Sequence, residues 1–107
     1  MTERHIDLPD HGVSFDLPDV INARTMLRFH AAWGQLAQGA GKDLVFVNRW
    51  SLVNELGLLT NWKCEYLPNP DVNLLEIEDE RVGYMIIALL NTLYFKVLAL
   101  REVPKNV

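Results

Sequence analysis

Residues 82–100 form an almost continuous apolar run, VGYMIIALLNTLYFKVLAL, interrupted by Asn91, Thr92 and Lys96. The run is too long for one strand and carries helical spacing. Val82, Ile86, Leu89, Leu93, Val97 and Leu100 recur as one stripe, and Ile87, Leu90, Tyr94 and Leu98 as a second beside it. Only a narrow polar strip through Arg81, Asn91 or Thr92, and Lys96 remains, so this helix must be covered on more than one side. Glu76, Glu78, Asp79 and Glu80 gather where the helix dipole favours acids, and Arg101 sits at the opposite end, which predicts a helix over about residues 79–101. The length nearly suffices for a membrane span. However, Asn91 and Lys96 are costly in hydrocarbon, and Tyr84, Tyr94 and Phe95 form no belts at the two ends, so a soluble reading is preferred.

The remainder of the 107 residues must cover that helix. With 50% hydrophobic residues, one small domain over residues 1–107 can bury a core without a disulfide or metal. The single cysteine, Cys64, fits a reducing compartment, and Met1-Thr2-Glu3-Arg4-His5 leads into acidic turns rather than an apolar signal stretch. At about residues 4–17, Ile6 and Leu8 on one side and Val13, Phe15 and Leu17 on the other alternate around Pro9-Asp10-His11-Gly12, the pattern of a β-hairpin with one apolar face. An isolated hairpin is marginal in water, so that face is expected to lie on helices. Pro18-Asp19 predicts a helix start and Gly39-Ala40-Gly41 its end, giving a helix at 19–38. Further helices are expected at 43–56, packing Leu44, Val47, Trp50 and Val53 and stopped by Gly57, and at 58–66, ahead of Pro68-Asn69-Pro70-Asp71. The expected fold is mainly α: a small helical domain with an N-terminal β-hairpin packed on the helices and a long apolar C-terminal helix.

Residue chemistry points away from an enzyme. No phosphate-binding loop, dinucleotide fingerprint, zinc spacing or nucleophile elbow occurs, and no cofactor is expected. His5 and His11 lie near Asp7, Asp10 and Asp16 in sequence, but turn and edge positions facing water account for them better than a metal site. His30 reads as a helix residue at a core boundary and Cys64 as a small buried hydrophobe. The net charge of −4 hides an acidic start, Arg4 against five acids in residues 1–19, and a basic middle in residues 20–64. Within that middle, Trp50 to Lys63 has the outline of a DNA-binding helix-turn-helix. The would-be recognition segment, Leu59 to Glu65, offers one lysine and few polar side chains, so an ordinary helix corner is preferred and nucleic acid is not expected.

The order of parts resembles the tail assembly chaperones of long-tailed bacteriophages. The resemblance covers most of the chain: the segment around Leu8-Pro9-Asp10-His11-Gly12, the helices after it, Trp62-Lys63-Cys64-Glu65 with Leu67-Pro68, the acidic Leu75-Glu76-Ile77-Glu78-Asp79, the long apolar helix, and the ending Leu100-Arg101-Glu102-Val103-Pro104-Lys105-Asn106. It implies a non-enzymatic helical protein of the host cytoplasm that coats the tape measure protein and helps recruit tail tube subunits. Members of that family are often also made in a longer form by ribosomal frameshifting near the end of the short one, and Pro104-Lys105-Asn106 could be encoded by codons containing a slippery A-rich heptanucleotide. The unusually apolar last helix departs from the family pattern and leaves room for a different adaptor role. The alternatives of other classes are a helix-turn-helix DNA-binding protein and a membrane-associated helical adaptor. A reversible apolar contact surface is what a chaperone needs. The sequence offers one candidate: Val82, Ile86, Leu89, Leu93 and Val97 facing the core, with Ile87, Leu90, Tyr94 and Leu98 binding a partner or a second copy. Burial of both stripes within one monomer is the competing arrangement.

Overall fold

A computed structural model describes residues 4–34 and 42–100. Within them the chain is mainly helical, with a small antiparallel sheet. Strands β1 (His5–Leu8) and β2 (Val13–Asp16) are followed by helices α1 (Ala23–Gly34) and α2 (Lys42–Glu55), strand β3 (Thr60–Cys64) and helix α3 (Glu80–Leu100).

β1 and β2 pair antiparallel, with Ile6 opposite Phe15 and Leu8 opposite Val13. Pro9–His11 form a single 3₁₀ turn between them, closed by Gly12 at φ 65°, which suits a residue without Cβ. The N–H of Gly12 donates to the Pro9 carbonyl. Period-two alternation then buries Ile6, Val13, Phe15 and Leu17.

The sheet does not end with two strands. β3 pairs with β2, giving the order β1-β2-β3. This corrects the helix expected at 58–66. Thr60, Trp62 and Cys64 turn partly inward while Asn61 and Lys63 face water, a strand's period rather than a helix's. Register slips between Ser14 and Asp16, and Asn61 takes up the irregularity at φ 52°. The Thr60 hydroxyl donates to the Asp16 carbonyl at 2.6 Å, and Trp62 stacks on Phe15 with ring centroids 6.1 Å apart.

The helix expected at 19–38 begins later. Asn22 is its N-cap: the side chain accepts from the Thr25 N–H at 2.8 Å, and its carbonyl accepts from the Met26 N–H. Pro18 and Asp19 instead belong to the connection from β2, where Arg4 donates to the Pro18 carbonyl at 2.6 Å. The predicted end of that helix at residue 38 and the Gly39-Ala40-Gly41 stop lie outside the described residues, as do Arg101 and the chain's ending.

α2 buries Trp50 and Val53, while Leu44, placed in the core from sequence, is exposed. The helix ends in a Schellman motif, with Leu58 N–H donating to the Val53 carbonyl, Gly57 N–H to the Asn54 carbonyl, and Gly57 at φ 71°. Before α3, Asp79 accepts from the Arg81 N–H at 2.9 Å and caps the first turn. Val82, Met85, Ile86, Leu89, Leu90, Leu93 and Val97 of α3 then share one core with the sheet and with Phe29, Trp50 and Val53. The Tyr66 hydroxyl donates to the His11 carbonyl and the Arg81 guanidinium lies 4.5 Å over its ring, tying the strand turn to the start of α3. Burial pushes the Tyr66 phenol above its ordinary pKa, keeping it a donor.

Candidate binding surface

α3 has a covered face and an outer face, and the boundary between them differs from the one the stripes imply. Leu90, assigned to a partner from sequence, is 1% exposed and belongs to the chain's own core. The physical reason is angular: at 100° per residue Leu90 lies close to Ile86 and Val97 around the helix, and α2 together with the rest of the core covers that arc. Tyr94 is partly covered. Its ring lies 6.2 Å from that of Trp33 in a nearly parallel stack and 6.3 Å from Phe29. Leu98 is half-buried. Of the four predicted residues, Ile87 alone is well exposed, at 46%.

The outer face instead carries Tyr84 and Phe95, 62% and 68% exposed. Ile87 lies between them, so three large apolar side chains make a strip along this exposed face, which they share with the polar Asn91 and with Ala99. Tyr84 and Phe95 are eleven positions apart in the numbering, close to three full turns and about 16 Å along the axis. That spacing is present in the sequence and was obscured by the stronger stripes on either side. Leu27 and Val20, the other strongly exposed aliphatics of the N-terminal half, lie on α1 and on the loop before it.

The remaining candidates disperse. His5 and His11 sit at opposite ends of the β1–β2 pair, and no group of three or more His, Cys, Asp or Glu side chains gathers for a metal among the described residues. His30 packs edge-on against Phe29 and Tyr94, and Cys64 is a half-buried free thiol. The basic middle is partly engaged within the fold: Arg28 pairs with Glu55 at 2.9 Å, and Arg49 donates to the Trp33 carbonyl while lying over its ring. Burial draws the Arg49 guanidinium below its ordinary pKa. The supposed DNA-recognition helix is absent, because its residues form β3. α3 is long and apolar enough to cross a membrane by length and composition, yet its inner face is already packed against the rest of the fold.

A polar pocket at the open end of the sheet gathers His5, Asp16 and Asn61. The Asn61 amide donates to the Asp16 carboxylate at 2.8 Å and His5 Nδ1 lies 2.7 Å from it; these bonds hold Asp16 below its ordinary 3.8. A depressed carboxylate contributes stability that is present above its unfolded pKa and lost as pH falls through the folded value. Acidification through the depressed pKa of Asp16, below 3.8, is therefore expected to loosen the Asn61 side chain. Its amide resonances should shift toward free values between neutral and strongly acidic pH; resonances that stay fixed would contradict the assignment.

No protein-family model matches this chain, and no curated protein or solved structure was found to be similar to it.

Proposed function

We propose that this chain is a non-enzymatic tail assembly chaperone of a long-tailed bacteriophage, acting in the host cytoplasm. It binds the tape measure protein and helps recruit tail tube subunits. The observation that carries the reading is the apolar strip of Tyr84, Ile87 and Phe95 on the outer face of a helix whose inner face already fills the core. A chaperone requires such a division: one side of α3 holds the fold together, and the other offers a reversible contact. Tyr84 and Phe95 supply large contact area with few rotatable bonds, the property that makes aromatic side chains effective anchors. The resemblance in the order of parts supports the choice of partner.

The test is co-expression with a tape measure protein from the genome that encodes this chain. The parent chain should keep that protein soluble and co-purify with it. Phe95→Asp should lose the complex while the isolated variant melts as the parent does, since an exposed charge has little effect on folding but no partner in a desolvated contact. A tape measure protein equally insoluble with and without this chain, or bound equally by Phe95→Asp, would refute the proposal.

A further inference from the structure

We infer that the groove between the first half of α2 and the first turns of α3 seats a basic amphipathic segment of a partner protein. An apolar side chain of that segment enters beside Gly83, and its lysines or arginines meet an acidic rim. The inference rests on the protein-binding reading above and concerns the N-terminal end of α3, where the groove adjoins the outer strip through Ile87.

The groove has a volume of about 270 Å³. Ligand sites for drug-sized molecules run from about 300 Å³ upward, so this one suits one or two side chains rather than a cofactor. Its walls are Phe46, Leu74, Ile77, Val82, Ile86 and Ile87. Such a surface gains little from water and favours an apolar side chain.

Gly83 is the glycine of α3 and lines the same groove. Glycine weakens a helix interior, and it is tolerated where the backbone needs positive φ or where a close neighbour excludes a Cβ. Neither reason applies among the described residues. Gly83 is not among the positive-φ residues, and a Cβ built on it meets nothing within 4 Å. A locally unfavourable residue with no compensation inside the fold is expected where something from outside approaches the backbone.

Charge selects the occupant. Glu78, Asp79 and Glu80 line the groove beside its apolar walls. Asp79 is engaged by Arg81 at 2.7 Å, while Glu78 and Glu80 form no ion pair among the described residues. The helix dipole favours acids here, and both Glu78 and Glu80 are exposed at the mouth of the apolar groove. This rim repels nucleic acid and anionic lipid and attracts a cationic segment.

The test uses the full ¹⁵N-labelled chain and two synthetic peptides of about four helical turns with the same leucine spacing, one with lysine and one with glutamate at every polar position. The lysine peptide should bind and shift the amides of Ile77 and Gly83, and the glutamate peptide should bind about tenfold more weakly or worse. Gly83→Leu fills the floor from an exposed helix position. It should weaken the lysine peptide by about tenfold or more while melting no lower than the parent. The double variant Glu78→Lys with Glu80→Lys should reverse the preference between the peptides. Equal binding of both peptides, undiminished binding to Gly83→Leu, or shifts centred on Phe95 instead of Gly83 would overturn the groove. Ile87 borders both surfaces, so the peptide test is read at Ile77 and Gly83, which the outer strip does not include, and failure of the tape measure complex would leave that result standing.

Discussion

Trp50→Ala is expected to cost about 3–5 kcal/mol of folding stability, a large share of the roughly 5–15 kcal/mol available to a domain of this kind. Trp50 is 1% exposed and is the largest of the fully buried side chains. Its ring meets Trp62 edge-on at 5.9 Å, and its indole N–H donates to the Pro70 carbonyl at 2.9 Å. Truncation therefore opens a cavity beneath β3 and removes the bond that anchors the Pro68–Pro70 connection to α2. Trp50→Phe keeps most of the volume and loses the hydrogen bond, for a smaller cost of about 1–2 kcal/mol. Urea melts of the two variants check the order: the midpoint should fall much further for alanine than for phenylalanine, with similar slopes. Equal midpoints would mean that Trp50 does not link α2 to the sheet.

A second large effect is expected at Leu90. Leu90→Asp places a carboxylate in the apolar core, at a cost on the order of 4 kcal/mol or more. Ile87→Asp, three positions earlier on the same helix, puts the charge at a position 46% exposed and should change stability by about 1 kcal/mol or less. Circular dichroism melts separate them: Leu90→Asp should be largely unfolded where Ile87→Asp remains folded. Two folded variants of similar melting temperature would show that Leu90 is not a core residue.

The contrast between these two positions also shows how far the fold was legible in the sequence. A helix over the last apolar run follows from length and periodicity alone, and Asp79 and Gly57 carry their capping roles in local chemistry. Leu90 was misplaced because a stripe drawn at i, i+3 and i+4 records which residues share a face, not how wide an arc the neighbouring elements cover. β3 was misread for a different reason. Leu58-Leu59 after a glycine suggests a helical turn, but an edge of β2 was open to pair, and the alternation of Thr60, Trp62 and Cys64 was decided by that long-range partner. The start of α1 moved from Asp19 to Asn22 because the backbone of Leu17 and Pro18 is held by Arg4, a contact between residues far apart in sequence. Tyr84 and Phe95 were readable as an outer strip by angle, whereas the groove at Gly83 needs Phe46 and Leu74 brought beside it by tertiary structure.

The central claim is that the outer face of α3 is the contact for the tape measure protein. Hydroxyl-radical footprinting of the chain alone and in that complex tests it most directly, because oxidation reads side-chain exposure residue by residue. Tyr84 and Phe95 are well exposed in the free chain, as are Val20 and Leu27 on the N-terminal half. The account predicts that the complex protects Tyr84, Ile87 and Phe95 while Val20 and Leu27 oxidise at unchanged rates. Protection of Val20 and Leu27 with Tyr84 and Phe95 left as reactive as in the free chain would contradict it.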